Sequence, residues 1–488
     1  MKRLGWVTAT VALAAGACRH SPPTIRGGAP TASAPNEKWT PPAAVVRDVA
    51  AVRDSTPAAA PFDTTRVLTL AEVVDIALRN SPATRQTWSQ ARAAADIYGS
   101  TKGRVFPTIS AGITLNRTRN VAVPGRPPGE RSQYGPSLNL TYTVLDFGGR
   151  SGAIDVTRQT AIAADFSHNA TVEATILQVE TAAFSYLSTR ALRDAAKADL
   201  GAATASLDAA NERRRVGLAT IADVLQARTA RSQAELALLT FEGNLMVARG
   251  AVAVAMGLPA NTPFEMPEVE ATDSVHFVAQ SVDTLIEMAV RNRPALAQAR
   301  AEAIAAQSTI RVAKSATLPA LAFNANVANQ GSDVAGFGGR TYGLNVGISM
   351  PLFNGFSNRY DVAAANEQYQ ASLARVAATK QQIIQQVFSA YYMLRASTDR
   401  VRASRDLLAS ATQSETVARE RYKEGVGSIV DLLIAQSALA DARAQSVNAR
   451  WQWRASLAQL AHDVGVLNAR GDTSFEPLRA VQDVRPER

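Results

Sequence analysis

Residues 137–144 have the sequence SLNLTYTV and residues 108–116 have the sequence TISAGITLN, and in both stretches polar and apolar side chains strictly alternate. This period of two predicts a pair of β-strands, because successive side chains of a strand point to opposite faces of a sheet. The polar positions hold Ser, Thr, Asn and Gly and hardly a charge. An ordinary half-buried hairpin is one interpretation. An uncharged polar face is more typical of a transmembrane β-strand, which faces lipid on one side and water on the other.

The second half of the chain contains another pair of alternating stretches, at residues 321–327 and 344–350. The pattern predicts strands at about 105–118 and 134–145 in the first half and at about 318–328 and 342–352 in the second. The segments that join the strands, Val121 to Gln133 and Gln330 to Arg340, are polar and rich in Gly or Pro, which is typical of external loops. Aromatic residues lie near the strand ends, as expected at a membrane interface: Phe106, Tyr134, Phe323 and Tyr342.

The two halves of the chain match position by position. Asn80-Ser81-Pro82 matches Asn292-Arg293-Pro294 at an offset of 212, and after one shorter loop the offset is 208, which relates Gly217 to Gly425 and Asp223 to Asp431. A constant offset over this length predicts a tandem duplication. The first repeat is placed at residues 63–267 and the second at 268–467, followed by a C-terminal tail at 468–488.

Each repeat also predicts two long helices. No proline occurs between Pro136 and Pro259, or between Pro351 and Pro477, and apolar residues recur there at three- and four-residue steps. Turns are expected at Gly217 and at Gly425 to Gly427. The first helix of each pair would therefore have about 65 residues, or a length of about 100 Å. A generic coiled coil would show the same periodicity.

The number of strands determines the assembly. Four strands do not close a barrel, since bacterial outer-membrane barrels have at least about 8 strands, and open sheet edges are not tolerated in lipid. The chain is therefore expected to oligomerise as an α+β membrane protein, with a long α-helical tube in register with a transmembrane β-barrel. Each chain would be a tandem repeat of a short helix, a hairpin, a long helix and a second helix.

The N-terminus reads as an export signal at residues 1–17, with Lys2 and Arg3 before a short apolar stretch. Cys18, the only cysteine, follows a small-residue cleavage site, a placement that resembles a lipoprotein signal. Plain signal cleavage with an incidental thiol is the alternative. Residues 18–62 are rich in Pro and Ala and predict an extended, lipidated tether.

Composition excludes several other classes of protein. The 488 residues include one Cys and four widely spaced His, so neither a disulfide framework nor a Cys-based metal site is expected. The mean hydropathy of -0.06 argues against a polytopic helical membrane protein. The formal charge of +9 is spread along the helices without a basic block, which argues against nucleic-acid binding. No clustered catalytic constellation is found, so neither an enzyme nor a cofactor is expected.

Four short motifs resemble the TolC family of outer-membrane efflux factors over both repeats. LDFGGR at residues 145–150 and LFNG at 352–355 lie where strands lead into long helices, and RRRVGLATIADV at 213–224 and RYKEGVGSIVDLL at 421–433 lie at the helix turns. The resemblance implies a homotrimer with a 12-stranded outer-membrane barrel and a 12-helix periplasmic barrel. It also implies an inner-membrane pump and a periplasmic adaptor as partners.

The resemblance assigns roles to the helix tips. It implies that Val216, Gly217 and Leu218, with Gly425 and Gly427, contact the adaptor. Gly217 also has a purely structural explanation, since a glycine supplies positive φ at a helix end.

Three residues near the tips are implied as the periplasmic gate: Asp223, Tyr422 and Asp431. Tyr422 is expected to bond to Asp223, and Asp431 to contribute to an acidic ring. Favourable charge near a helix N-terminus is the alternative explanation for Asp223. The family's gate Arg is replaced here by Gly427 and its second acidic position by Ile434, which predicts a weaker closed state.

The sequence thus predicts a passive, gated exit duct for drugs or metals, lipid-anchored and inserted in the outer membrane and extending into the periplasm. Two alternatives stay open. One is the outer-membrane channel of a type I protein secretion system, and the other is a periplasmic coiled-coil scaffold.

Overall fold

The computed structural model describes residues 38, 41–50, 66–121, 129–267, 280–334, 336 and 338–467. The predicted signal peptide at residues 1–17, Cys18 and the predicted tail at 468–488 lie outside the described residues. The chain divides into two compact units, residues 1–59 and 60–488.

The first unit contains helix α1 (Ala43–Ala50). The prediction of an extended tether over residues 18–62 is therefore wrong for these eight residues. The physical reason is local, because no proline interrupts the chain between Pro42 and Pro57. The amide of Val46 donates to the carbonyl of Pro42 at 3.0 Å, which closes the first helical turn.

In the second unit, the predicted short first helix of each repeat consists of two helices. They are α2 (Leu70–Asn80) and α3 (Pro82–Gly103) in the first repeat. The corresponding helices of the second repeat are α6 (Val282–Asn292) and α7 (Pro294–Ser315), which come after the strands and long helices of the first repeat. The break falls at Pro82 and at Pro294 because proline lacks the N–H that would continue the preceding helix, yet suits the first position of the next one.

The long helices form two antiparallel pairs. They are α4 (Gly149–Arg215) with α5 (Ile221–Ala255), and α8 (Ser357–Lys423) with α9 (Ile429–Val464). Helices α4 and α8 each have 67 residues, close to the length expected from the sequence. Helix α4 also packs against α9, which joins the pairs in the order α5-α4-α9-α8. Helices α5 and α8 consequently lie at the two ends of this layer.

The strands β1 (Thr108–Asn120), β2 (Gly129–Leu145), β3 (Ala320–Ser332) and β4 (Gly339–Ser349) form one antiparallel sheet in sequence order. The hairpins are longer than predicted at the loop end, where polar and charged residues continue the strands: Arg117 of β1 forms an ion pair with Glu130 of β2 at 2.6 Å. The first strand begins at Thr108 and not at about 105, and the last strand ends at Ser349 and not at about 352. Pro107 precedes the first strand and Pro351 follows the last, and neither offers a backbone N–H to a ladder.

The register places apolar and polar residues on separate faces across all four strands. One row pairs Ile109, Leu140, Ala325 and Leu344, and the adjacent row pairs Ser110, Asn139, Asn326 and Gly343. The apolar face is open, since Ile109 is 63% exposed and Leu344 is 74% exposed. An exposed apolar surface of this extent requires a partner surface or lipid.

The buried core lies in the helices. In the first repeat Val73, Val179 and Met256 are fully buried together, and in the second repeat Leu285, Leu394 and Leu460 are. Each cluster packs the first short helix of a repeat against a long helix and the end of a returning helix. The sheet therefore extends from a scaffold that is stabilised by helix packing.

Candidate functional site at the helix tips

The turns that join α4 to α5 and α8 to α9 each contain a glycine whose backbone lies in the left-handed region. Gly217 has φ +79 and Gly425 has φ +78, and a Cβ built on either glycine would meet no neighbour within 4 Å. The requirement for glycine is thus conformational and not steric. Beside these glycines three apolar side chains point into solvent, with exposures of 56% for Val216, 76% for Leu218 and 68% for Val426. The tips are therefore glycine turns that present apolar contact surface.

Asp223 and Asp431 each close a capping box at the start of the returning helix. The Asp223 carboxylate accepts hydrogen bonds from the Thr220 amide at 2.7 Å and from the Thr220 hydroxyl at 2.9 Å. Asp431 accepts a longer bond, of 3.4 Å, from the Ser428 amide, and its side chain is exposed. The local geometry thus explains Asp223 as a helix cap, whereas much of the Asp431 carboxylate faces solvent.

Tyr422 is buried at the end of α8, where it packs against Ile429 and Leu432. Its hydroxyl oxygen has no hydrogen-bond partner among the described residues. Burial raises the pKa of Tyr422, the charge of Arg213 lowers it, and the charge of Asp223 raises it. The prediction of a hydrogen bond between Tyr422 and Asp223 is therefore wrong within this chain. The Asp223 carboxylate accepts its hydrogen bonds from Thr220 and acts on Tyr422 only through its charge.

Gly427 has a steric explanation that the sequence did not reveal. A Cβ built at Gly427 would lie 3.1 Å from the Arg421 Cβ and 3.2 Å from the backbone that joins Arg421 to Tyr422. A side chain at Gly427 would require these neighbours to move by a few tenths of an ångström. Ile434, which lies one turn after Asp431 on α9, is 64% exposed and presents an apolar side chain.

Arg213 is a tip residue that sequence reasoning missed. Its guanidinium lies 4.1 Å from the centre of the Tyr422 ring. It also donates hydrogen bonds to the carbonyl of Tyr422 and, at 2.8 Å, to the carbonyl of Lys423. These carbonyls belong to the last turn of α8, which has no helical N–H groups ahead of it. One side chain of α4 therefore caps a helix of the other repeat.

Arg213 is the last of three polar contacts that α4 makes at seven-residue steps. Asp199 pairs with Arg443, and the Ser206 hydroxyl accepts a hydrogen bond from the Gln436 amide at 3.0 Å. Seven residues correspond to two helical turns, so these side chains share one face of α4. The partners Arg443 and Gln436 are also seven residues apart, on α9. We call this series the α4 polar ladder.

The model of one protein family, outer membrane efflux protein, matches residues 73–258 and 285–466. The chain belongs to the outer membrane efflux protein family. The two matched segments lie one in each half of the chain. The resemblance to the TolC family is confirmed by the TolC protein of Vibrio cholerae, to which this chain is 26% identical over 82% of its length and 91% of that protein.

Other relatives and structures agree. Protein CyaE of Bordetella pertussis is 28% identical over 84% of this chain and 86% of its own length. The toluene efflux pump outer membrane protein TtgF of Pseudomonas putida is 25% identical over 84% and 85%. The fold is similar to that of the CmeC outer membrane channel of Campylobacter jejuni, with a TM-score of 0.73 and 17% identity over 83% of this chain and 87% of that one. This member of the outer membrane efflux protein family is thus an efflux channel protein of the outer membrane with a periplasmic extension.

Proposed function

We propose that three copies of this chain form a 12-stranded transmembrane barrel continuous with a 12-helix periplasmic barrel, and that this assembly is the exit duct of a tripartite efflux pump. The observation that carries the proposal is the two-faced sheet. Rows such as Ile109, Leu140, Ala325 and Leu344, and Ser110, Asn139, Asn326 and Gly343, run across all four strands. The exposed apolar face would lie towards lipid and the polar face towards water.

Closure by other copies follows from the free edges. Strands β1 and β4 are the outer strands of the sheet, and unpaired strand edges are not stable in lipid. The ends of the helix layer are apolar in the same way. On α5, Leu236 is 65% exposed and Val247 is 74% exposed, and on α8, Met393 is 66% exposed. A neighbouring copy would cover both edges at once.

Helix α5 could be interpreted as a membrane-spanning helix, but the proposed assembly explains its apolar surface in another way. Among the described helices it alone is long and apolar enough to cross a membrane by length and composition. It runs back along α4, however, and begins at the tip farthest from the sheet. Contact with α8 of the next copy accounts for its exposed apolar side chains without a membrane.

The partners follow from the tips. Val216, Gly217 and Leu218, with Gly425 and Gly427, offer an exposed apolar surface to a periplasmic adaptor, and the adaptor connects the duct to an inner-membrane pump. Asp223, Tyr422 and Asp431 surround the aperture. The relatives named as toluene and antibiotic efflux pump proteins favour small toxic compounds as cargo.

Two adjacent residues of β4 test the membrane orientation. Val346 lies on the apolar face and Asn345 on the polar face. Val346→Arg should cost about 2–4 kcal/mol of insertion free energy and prevent recovery of trimers from the outer membrane. Asn345→Arg should insert normally and alter the ion selectivity of the channel in planar bilayers. Equal behaviour of the two variants would refute the orientation, and a detergent-solubilised mass other than three protomers would refute the trimer.

Deletion of the gene tests the cargo. Loss of resistance to solvents or antibiotics, restored by the wild-type gene, is expected of the efflux duct. Unchanged resistance together with loss of a secreted polypeptide would instead assign the chain to protein secretion.

A further inference from the structure

The α4 polar ladder ends in a contact unlike its other two. Asp199 and Ser206 both reach α9, whereas Arg213 lies level with the first residue of α9 and reaches past it to the end of α8. There the planar guanidinium stacks on an aromatic ring and donates to two carbonyl oxygens. A cation at a helix C-terminus is also favoured by the helix dipole.

The Arg213 contact joins α4 and α8, which have few other contacts with each other near the helix tips. Helix α4 belongs to the first repeat and α8 to the second, and the helix layer places α9 between them. If the Arg213 contact breaks, the next polar tie between the repeats is Ser206 with Gln436, which lies two helical turns, or about 10 Å, away from the tip. Among the polar contacts of the described residues, that of Arg213 is therefore the one between the repeats that lies nearest the tips.

We propose that Arg213 is the latch that holds the two tips of one chain together and so keeps the periplasmic aperture closed. The latch uses the face of the Tyr422 ring and the carbonyl oxygens at the end of α8. It does not use the Tyr422 hydroxyl, which is buried without a hydrogen-bond partner in the described part of the chain. The proposal rests on the proposed function of the trimer as a gated channel.

The sequence of the other repeat explains why this contact is not duplicated. The offset of 208 aligns Arg213 with Arg421, but the residue aligned with Tyr422 is Arg214. A guanidinium placed over Arg214 would meet a like charge instead of a ring, which repels it. The duplication thus left only one of its two tips with an aromatic partner for this latch.

The groups that form the latch predict which variants should weaken it. Arg213→Gln removes the charge and the stacking, and Tyr422→Leu removes the ring while leaving the backbone carbonyls. Tyr422→Phe keeps the ring and should weaken the latch less than Tyr422→Leu does. Arg214→Gln removes the same charge from the adjacent, exposed position, so it is the matched control for electrostatic effects on ion flow.

Single-channel recording of trimers in planar bilayers tests the proposal. Arg213→Gln should raise the ratio of open to closed time about tenfold, which corresponds to about 1.4 kcal/mol and lies between the values for exposed and for desolvated cation–π contacts. Tyr422→Leu should raise it as well, and the double variant should add little to either. Arg214→Gln should behave as wild type, and Tyr422→Phe, which keeps the ring, should raise the ratio less than Tyr422→Leu does. Wild-type gating in Arg213→Gln, or an equal rise in Arg214→Gln, would overturn the latch.

Hydrogen exchange separates this proposal from the proposed function. In detergent-solubilised protein, amides of the α8–α9 turn at residues 422–428 should exchange faster in Arg213→Gln than in Arg214→Gln, whether or not the protein conducts ions. Unchanged exchange at the turn would reject the latch. Wild-type protein without channel activity would reject the proposed function while this readout still tests the contact.

Discussion

Glu180 on α4 gives the molecule a pH-dependent stability that can be measured. The side chain is 1% exposed, and neither carboxylate oxygen has a hydrogen-bond partner among the described residues. Burial raises the pKa of Glu180 from 4.5 to about 7. This difference corresponds to about 3 kcal/mol of unfolding free energy per chain.

The direction follows from proton binding. Because the pKa is higher in the folded chain, the native state holds this proton more tightly than the unfolded state does. The protonated carboxyl is therefore tolerated below pH 4.5, and stability is lost as the pH rises to about 7. Glu180→Gln cannot ionise. It should be closest to the wild type at pH 5 and be more stable by as much as about 3 kcal/mol at pH 8.

Thermal unfolding of the detergent-solubilised protein at pH 5, 6, 7 and 8 measures the effect as the difference between variant and wild type. Contributions of all other titrating groups cancel in that difference. Glu242→Gln, at an exposed position of α5, is the control and should give a difference that does not vary with pH. If the Glu180→Gln difference is also constant from pH 5 to pH 8, Glu180 is not a buried, unpaired acid.

Three further outcomes are expected. Gly425→Ala should destabilise the tip by about 1–2 kcal/mol, because its positive φ disfavours a side chain, while Gly243→Ala inside α5 should stabilise the helix by about 1 kcal/mol; thermal unfolding distinguishes the signs. Leu394→Ala should cost about 2–5 kcal/mol of unfolding free energy, and Leu373→Ala, 40% exposed, clearly less. Cys18→Ser should abolish palmitate labelling without releasing the protein from the outer membrane, and persistent labelling would place the lipid elsewhere.

The strands and helices could be predicted because their signals are local. Alternation at residues 137–144 marks β2, and Gly217 and Gly425 mark turns that only glycine adopts readily. The pairing of β2 with β3 could not be read in this way, since it joins residues nearly 200 positions apart and depends on the packing of the helices between them.

The site was predicted less completely, for a similar reason. Arg213, Arg214 and Arg215 are indistinguishable as a run of letters, and only the rotational phase of α4 brings Arg213 over Tyr422. Glu180 looks like any helix-surface acid until its neighbours on other elements are known. The family pattern likewise predicted a Tyr422–Asp223 bond that the local capping by Thr220 removes.

The equal lengths of α4 and α8 restrict how this protein can change during evolution. Both helices have 67 residues, which keeps their tips at the same distance from the sheet. Seven residues inserted into α4 alone would displace its tip by about 10 Å and carry Arg213 beyond Tyr422. A longer or shorter periplasmic tube therefore demands matched insertions or deletions in both halves and in their returning helices, so length variation among relatives should come in coordinated pairs.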